Sequence, residues 1–539
     1  MSNEAENEFI TSEVFRIREE TGVAIEKRDT EGLLRYLAEL ERLKPKQYSA
    51  LSAIYIDAGT EWKNRELILT GLKICGDAYT AENSNEQRFH LAYNAFNAAV
   101  TLHELSESQD EDILFECERW HGLTRLHLSF MPDEDKARYF SNSANYLLQR
   151  YRYSEAIHSA KLARGLDETN PVATAALAEA YYLWARSYLT HIQHHKPISL
   201  DVISLLYYAA DLYKSASKRT KRAAELAYPG AVEQYNKMLS HIRDVISKLG
   251  YTEEYIRTAL AEFAAAHESY EPTSYERNIL DKGLFLRDIP SPLKCKNRIG
   301  DTLKIDPAIF NTNLVGEKSD TILSAKSIAL LNAAYEDFLI ARNLFLHADE
   351  EDEEDLLSCT FICDDTLVFS ERTRRLKMVI RVAVDGFDKI AGVLREYWGI
   401  KSTRRNLYFG GYLRDVGDYM STDTNSTSFP RCSVRNIWFQ ALIGLAVGFA
   451  PAKEKLKEES KLSGTSEFRT RLNEYRNAIT HRTLNIVREK RDNMKDDSLT
   501  IEELEGIAFE TLLTYKSALQ YTYLGINHDI SSHWMATDI

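Results

Sequence analysis

From the N-terminus to about residue 270, apolar residues recur at steps of three and four, run after run, and nowhere alternate in twos. Such steps return side chains to one face of an α-helix, whereas alternation marks a strand. Candidate helices cover 8–27, 30–43, 61–78, 87–105, 134–151, 153–166, 171–189, 200–217 and 231–249. Only 23 Gly and 11 Pro occur in 539 residues, too few for the many tight turns of an all-β chain. An all-α fold follows, and the length calls for two or three domains.

Between residues 140 and 190 the pattern becomes repetitive. Ala144 and Leu147, then Tyr153, Ala156, Ala160 and Ala163, alternate small and large residues so that paired helices can nest. A second unit opens at Pro171, with Leu177, Ala178 and Tyr181 at matching offsets, and Ala144 to Ala178 is 34 residues. This resembles the tetratricopeptide (TPR) repeat, apart from Glu168 where that repeat usually has Pro. The resemblance implies a TPR-like α-solenoid over residues 1–270, a curved surface suited to a peptide or partner protein.

Residues 271–322 change character. Pro272, Pro290, Pro292 and Pro307, with Gly283, Gly300 and Gly316, interrupt any helical period, so this stretch reads as a connector. Helical periodicity returns over 324–347, 376–398, 434–450, 466–491 and 501–525, making residues 323–539 a helical bundle. The polar segment 401–431, with Gly410 and Gly411, reads as a long loop between helices. The acidic run 349–355 reads as a solvated loop, since the glycine and spacing of a calcium-binding EF loop are missing.

The net charge of -14 argues against whole-surface binding to duplex nucleic acid. Locally the balance reverses: from Lys453 to Lys495 basic residues outnumber acidic ones, 12 to 7. The six cysteines (Cys75, Cys117, Cys295, Cys359, Cys363 and Cys432) are scattered and follow no secretory signal, which predicts a reduced, cytoplasmic protein. The apolar run 437–450 is shorter than the roughly 20 residues needed to span a bilayer, so no membrane segment is expected. His191, His194 and His195 lack an acidic or thiol companion, and Cys359 and Cys363 are misspaced for a redox pair. No phosphate-binding glycine loop or serine-nucleophile elbow occurs. No metal and no cofactor are therefore expected.

Inside the basic region lies Glu474-Tyr475-Arg476-Asn477-Ala478-Ile479-Thr480-His481-Arg482. Phe468, Leu472, Tyr475, Ile479 and Ile486 form one apolar stripe along a predicted helix over 466–491. Asn477 and His481, four apart, share a polar face with Arg476 beside it. Arg, four to six residues and then His occurs four times: Arg152…His158, Arg186…His191, Arg342…His347 and Arg476…His481. The first two belong to the repeats, and the third has an apolar interior followed by the acidic run. Arg476…His481 alone combines a polar interior with a basic surround.

These residues resemble the HEPN superfamily, whose ribonuclease members carry R-x4-6-H on a late helix of a four- or five-helix bundle. The segment Glu371-Arg372-Thr373-Arg374-Arg375-Leu376-Lys377, running on to Arg381 and Asp388-Lys389-Ile390-Ala391, is similar to the first long helix of a HEPN branch that follows helical repeats. The resemblance implies a metal-independent endoribonuclease, a toxin or phage-defence effector acting on RNA as a homodimer through the C-terminal bundle. Arg476 and His481 would be catalytic, with Asn477 and Arg482 in support. The competing expectation is a non-catalytic TPR-type scaffold whose bundle binds RNA or a partner without cleavage.

Overall fold

The computed structural model describes residues 3–43, 47–82, 84–106, 111–189, 200–222, 230–266, 273–288, 299–300, 323–348, 370–399, 408–422, 436–447, 484–487 and 499–537, with Phe449, Leu472, Tyr475 and Ile479. The fold is all-α. The described strands are two-residue pieces: β1 (Arg287–Asp288) antiparallel to β2 (Ile299–Gly300), and β3 (Ile486–Val487) parallel to β4 (Leu499–Thr500). No described helix is long and apolar enough to cross a membrane.

Contacts group Met1–Asn142 into one compact unit. It contains α1 (Asn3–Glu26), α2 (Thr30–Arg42), α3 (Tyr48–Trp62), α4 (Arg65–Ala81), α5 (Asn85–Leu105) and α6 (Glu111–Leu126). The expected helix 61–78 is divided. Lys63 takes a left-handed conformation (φ 54), and the Asn64 side chain accepts the amides of Glu66 and Leu67 to start α4 afresh. Ile17, Leu33, Leu37, Leu40, Ile54 and Ala58 form one core cluster, packing the faces that periodicity assigned inward. In this unit Tyr79 Oη lies 2.9 Å from His127 Nε2, and burial pulls the imidazole pKa down to about 4.

The second unit comprises Ser143–Ala450 and Arg469–Ile539. Its helices include α8 (Tyr153–Leu166), α9 (Pro171–Leu189) and α10 (Leu200–Arg222), which follow α7 (Asp133–Gln149). All nine repeat positions singled out above, from Ala144 to Tyr181, are buried. Then come α11 (Ala231–Lys248), α12 (Glu253–Ala266) and α13 (Ser274–Asp281). The last of these corrects the reading of 271–322 as lacking helix. Thr273 and Glu276 form a reciprocal capping box, which supplies the start that Pro272 obscured.

The C-terminal helices are α14 (Ala325–Leu346), α15 (Glu371–Trp398), α16 (Phe409–Thr422), α17 (Ile437–Val447) and α18 (Ile501–Thr537). Helix α16 lies within the stretch expected to be a loop. A Cβ at Gly410 would sit 2.5 Å from Phe449 Cβ, so this glycine permits close approach where the sequence suggested a break. The Asp388 carboxylate accepts the Phe409 amide at 3.2 Å at the helix start. Asn436 begins α17 by accepting the Trp438 and Phe439 amides, and its own amide donates to Gly525 O of α18 at 2.8 Å. Contacts cross the proposed divisions at residues 270 and 322: Trp438 packs edge-on against Tyr153 and Trp184, at 5.6 and 5.5 Å between ring centroids.

Helix α18 crosses α15 at Gly386. There the Tyr515 hydroxyl donates to Ala334 O at 2.5 Å, and a Cβ on Gly386 would lie 1.9 Å from that hydroxyl. Gly386→Ala is expected to destabilise the second unit by about 1–3 kcal/mol through overpacking. Gly506→Ala, with nothing within 4 Å of the added carbon, should instead stabilise α18 by about 0.5–1 kcal/mol. Denaturant melts of the two variants check both signs, and equal shifts would refute the crossing argument.

His127 makes stability depend on pH. Its folded pKa of about 4 lies below its ordinary 6.5, so the unfolded chain takes up the proton first as pH falls. Stability is lost between those two values, by about 3 kcal/mol at most. Thermal melts across that window should fall less steeply for His127→Gln than for wild type, and parallel curves would refute the assignment.

Candidate active site

Helix α15 starts at a second capping box, Ser370 with Thr373. Its first three turns carry Arg372, Arg374, Arg375, Lys377 and Arg381 against a single acid, Glu371. Several of these are committed to structure. Arg372 pairs with Glu505 of α18 at 2.6 Å. Arg375 pairs with Glu371 at 3.3 Å and donates to the His347 carbonyl. Arg374 points outward, with its side chain 80% exposed.

Lys377 has a different role. Its ammonium donates to Leu484 O at 3.0 Å, and burial holds its pKa below the usual lysine range. Leu484 stands three residues after His481. The long basic helix is thus tied by a charge-assisted bond to the segment that leaves the motif.

That segment is anchored on both sides. Leu472, Tyr475 and Ile479 are helical; Leu472 and Tyr475 are buried and Ile479 half-buried, on the predicted stripe. Downstream, Leu484, Ile486 and Val487 are buried. Ile486 does not continue the helix, which corrects the expected span of 466–491. Ile486 and Val487 pair with Leu499 and Thr500, and the Leu499 amide donates to Asn485 O at 3.1 Å. β-Branched side chains suit that extended pairing. Thr500 and Glu503 then exchange hydrogen bonds at the start of α18. Arg476, Asn477, His481 and Arg482 themselves lie outside the described residues, as does Phe468.

Two of the other Arg…His pairs are engaged in packing. Arg152 is fully buried and grips Glu155 with two bonds of 2.7 and 2.5 Å, while His158 packs against Phe509. Arg342 donates to Leu284 O at 3.3 Å and lies over the rings of Phe285 and Phe338. His347 caps the end of α14 and stacks on Tyr275 with rings 19° apart. Arg186 is on α9, but His191 lies outside the described residues, as do His194, His195, Cys359, Cys363 and the acidic run 349–355. Among the described residues no group of three or more His, Cys, Asp or Glu could hold a metal ion.

Periodicity alone gave Lys377 and Glu505 no role. Each bond joins residues more than a hundred positions apart, and nothing local in the sequence marks it. Chemically, the assembly offers a helix with basic first turns bonded to Leu484, which follows His481 by three positions in the sequence.

Residues 324–529 match a protein family described as LA2681-like HEPN. Comparison with curated proteins gave no match, and comparison with solved structures gave none.

Lys377→Met removes the bond to Leu484 O while keeping most of the aliphatic stem. Loss of one such bond is expected to cost about 0.5–1.5 kcal/mol. Amide hydrogen exchange should accelerate at Ile486 and Val487 before it changes in the centre of α15. Unchanged exchange at those two amides would show that Lys377 does not hold the segment.

Proposed function

We propose, from the match of residues 324–529 to the LA2681-like HEPN family, that the protein is a metal-independent endoribonuclease. Arg476 and His481 carry the reaction, with Asn477 and Arg482 in support. The observation that carries this reading is positional. The Arg-Asn-x-x-x-His run lies inside the matched domain, between buried Tyr475 and the Leu484 carbonyl held by Lys377. The described alternatives at Arg152 and Arg342 are occupied by packing and hydrogen bonds.

RNA cleavage beside a ribose requires removal of the 2′-OH proton and delivery of a proton to the leaving 5′-oxygen. Histidine suits both tasks near neutral pH. Arginine grips the non-bridging phosphate oxygens in bidentate fashion and offsets charge developing on phosphorus. Asn477, one helical turn before His481, orients the imidazole by hydrogen bonding. One histidine per chain serves poorly as acid and base together. In this proposal the bundle therefore dimerises and sets two motifs face to face across a symmetric interface. The setting is a toxin or phage-defence effector, with the helical repeats binding the partner that restrains or triggers it.

Products are expected to carry a 2′,3′-cyclic phosphate and a 5′-hydroxyl, and DNA is expected to survive because it lacks the attacking hydroxyl. His481→Ala and Arg476→Ala should each lower the rate of RNA cleavage by roughly 10²–10⁴-fold. His347→Ala, which removes the ring stacked on Tyr275, should leave that rate unchanged. The assay is incubation of purified protein with total RNA, with and without chelator, followed by end-group analysis. Loss of cleavage in His347→Ala with retention in His481→Ala would place the chemistry on α14. RNA binding without cleavage by wild type would favour the non-catalytic reading.

A further inference from the structure

Of the five basic side chains in the first three turns of α15, two are held by other elements. Arg372 pairs with Glu505, and Arg375 donates to the His347 carbonyl. The remaining three, Arg374, Lys377 and Arg381, fall at positions i, i+3 and i+7, which places them on one face of the helix. The opposite face is core: Leu376, Val379, Ile380, Ala383 and Phe387 are buried. Lys377, in the middle of the row, is half-buried and bound to Leu484 O. The arginines on either side of it are exposed, Arg374 with its side chain 80% accessible.

A solvated helix face gains support from acids placed one turn from its bases. This row lacks that balance. One turn after Arg374 stands Met378, and one turn before Arg381 stands Lys377. Glu371 lies 3.7 Å from Arg374 but 3.3 Å from Arg375, so its carboxylate is shared. An exposed contact of that length contributes little. Arg381 makes no ion pair or hydrogen bond among the described residues, and Asp385, one turn further on, is not joined to it.

Seven residues of helix separate the two arginines by about 10.5 Å along the axis. Each guanidinium fork can take two oxygens of one phosphate, so the pair suits separate phosphates of a single strand. The whole chain carries a net charge of -14, which confines attraction for a polyanion to local basic sites of this kind. The Lys377 bond also ties this face to a residue three positions beyond His481, and three residues span at most about 11 Å. Resting on the endoribonuclease reading above, we propose that Arg374 and Arg381 grip backbone phosphates of the RNA strand that the Arg476–His481 motif cuts. These contacts hold the substrate without reading its sequence, and neither arginine takes part in making or breaking bonds.

The test uses the full chain carrying His481→Ala as parent, so that RNA is bound and not consumed. Fluorescence anisotropy measures the affinity of a fluorescein-labelled oligouridylate over a range of NaCl concentrations. Arg374→Gln and Arg381→Gln should each weaken binding roughly three- to tenfold at low salt. Each should also reduce the slope of log affinity against log salt by about 0.7, the share of one phosphate contact on a single strand. Lys248→Gln, which removes a comparably exposed cation on α11 (side chain 74% accessible), should change neither quantity. Tm should hold in both arginine variants, because neither side chain is buried. With His481 restored, the two arginine substitutions should raise KM for RNA and leave kcat unchanged.

No binding by the parent, or binding whose salt slope survives both arginine substitutions, would overturn the proposal; in the second case the row faces another acidic surface, such as a protein. An equal loss in Lys248→Gln would reduce the effect to net charge and overturn it as well. Failure of wild type to cleave, with binding lost in the arginine variants, would sink the endoribonuclease reading and leave the α15 contact standing. Cleavage by wild type with unchanged KM in both variants would do the reverse.

Discussion

Buried polar groups on α18 must find partners inside the protein, and the second compact unit is arranged to supply them. Lys516 donates to Gly283 O and Gln520 to Leu286 O, each at 2.6 Å. The Gln520 carbonyl oxygen accepts from Ser154 Oγ at 2.5 Å, and Tyr515 donates to Ala334 O. Each group left unpaired would cost about 1–3 kcal/mol. These bonds fix the rotation and axial position of α18 together, because their partners come from α8, the 283–286 segment and α14. Aromatic packing alone would tolerate a small slide; this set of directional bonds does not.

The segment that follows the motif is tied to that fixed helix. Glu505 of α18 holds Arg372, and five residues further along α15 Lys377 holds Leu484 O. Strand β4 leads directly into α18, and β3 follows the motif. The chain carrying Arg476 and His481 is thereby referenced at its downstream end to α15 and α18.

Much of the helical fold was legible because amphipathic periodicity is a local signal. Ala144 to Tyr181 read inward and are inward. What escaped depended on partners distant in sequence. Gly410 and Gly411 looked like breakers, yet Gly410 admits Phe449 at the start of α16. Ile486, seven residues after Ile479, fits a helical stripe as well as a strand, and only Leu499 and Thr500 decide between them. The capping box at Thr273 and Glu276 was readable, but the nearby prolines outweighed it. For the candidate site, the sequence supplied residue types and spacing, while the bonds from Lys377 to Leu484 O and from Arg372 to Glu505 became apparent only when distant parts of the chain met.

The β3–β4 pair has a topological consequence for sequence change. Pairing Val487 with Thr500 and Ile486 with Leu499 closes a loop over residues 488–498. Joining two paired strands costs entropy that grows only logarithmically with the length of chain between them, about 0.6 kcal/mol for each doubling. The pair is thus a point at which the chain can gain or lose residues without altering the bonds at Leu484 or the start of α18. Insertions there would lengthen a tether, whereas insertions between His481 and Leu484 would change the distance from the motif to its anchor. Two short stretches of sequence, side by side in the chain, are under opposite length constraints.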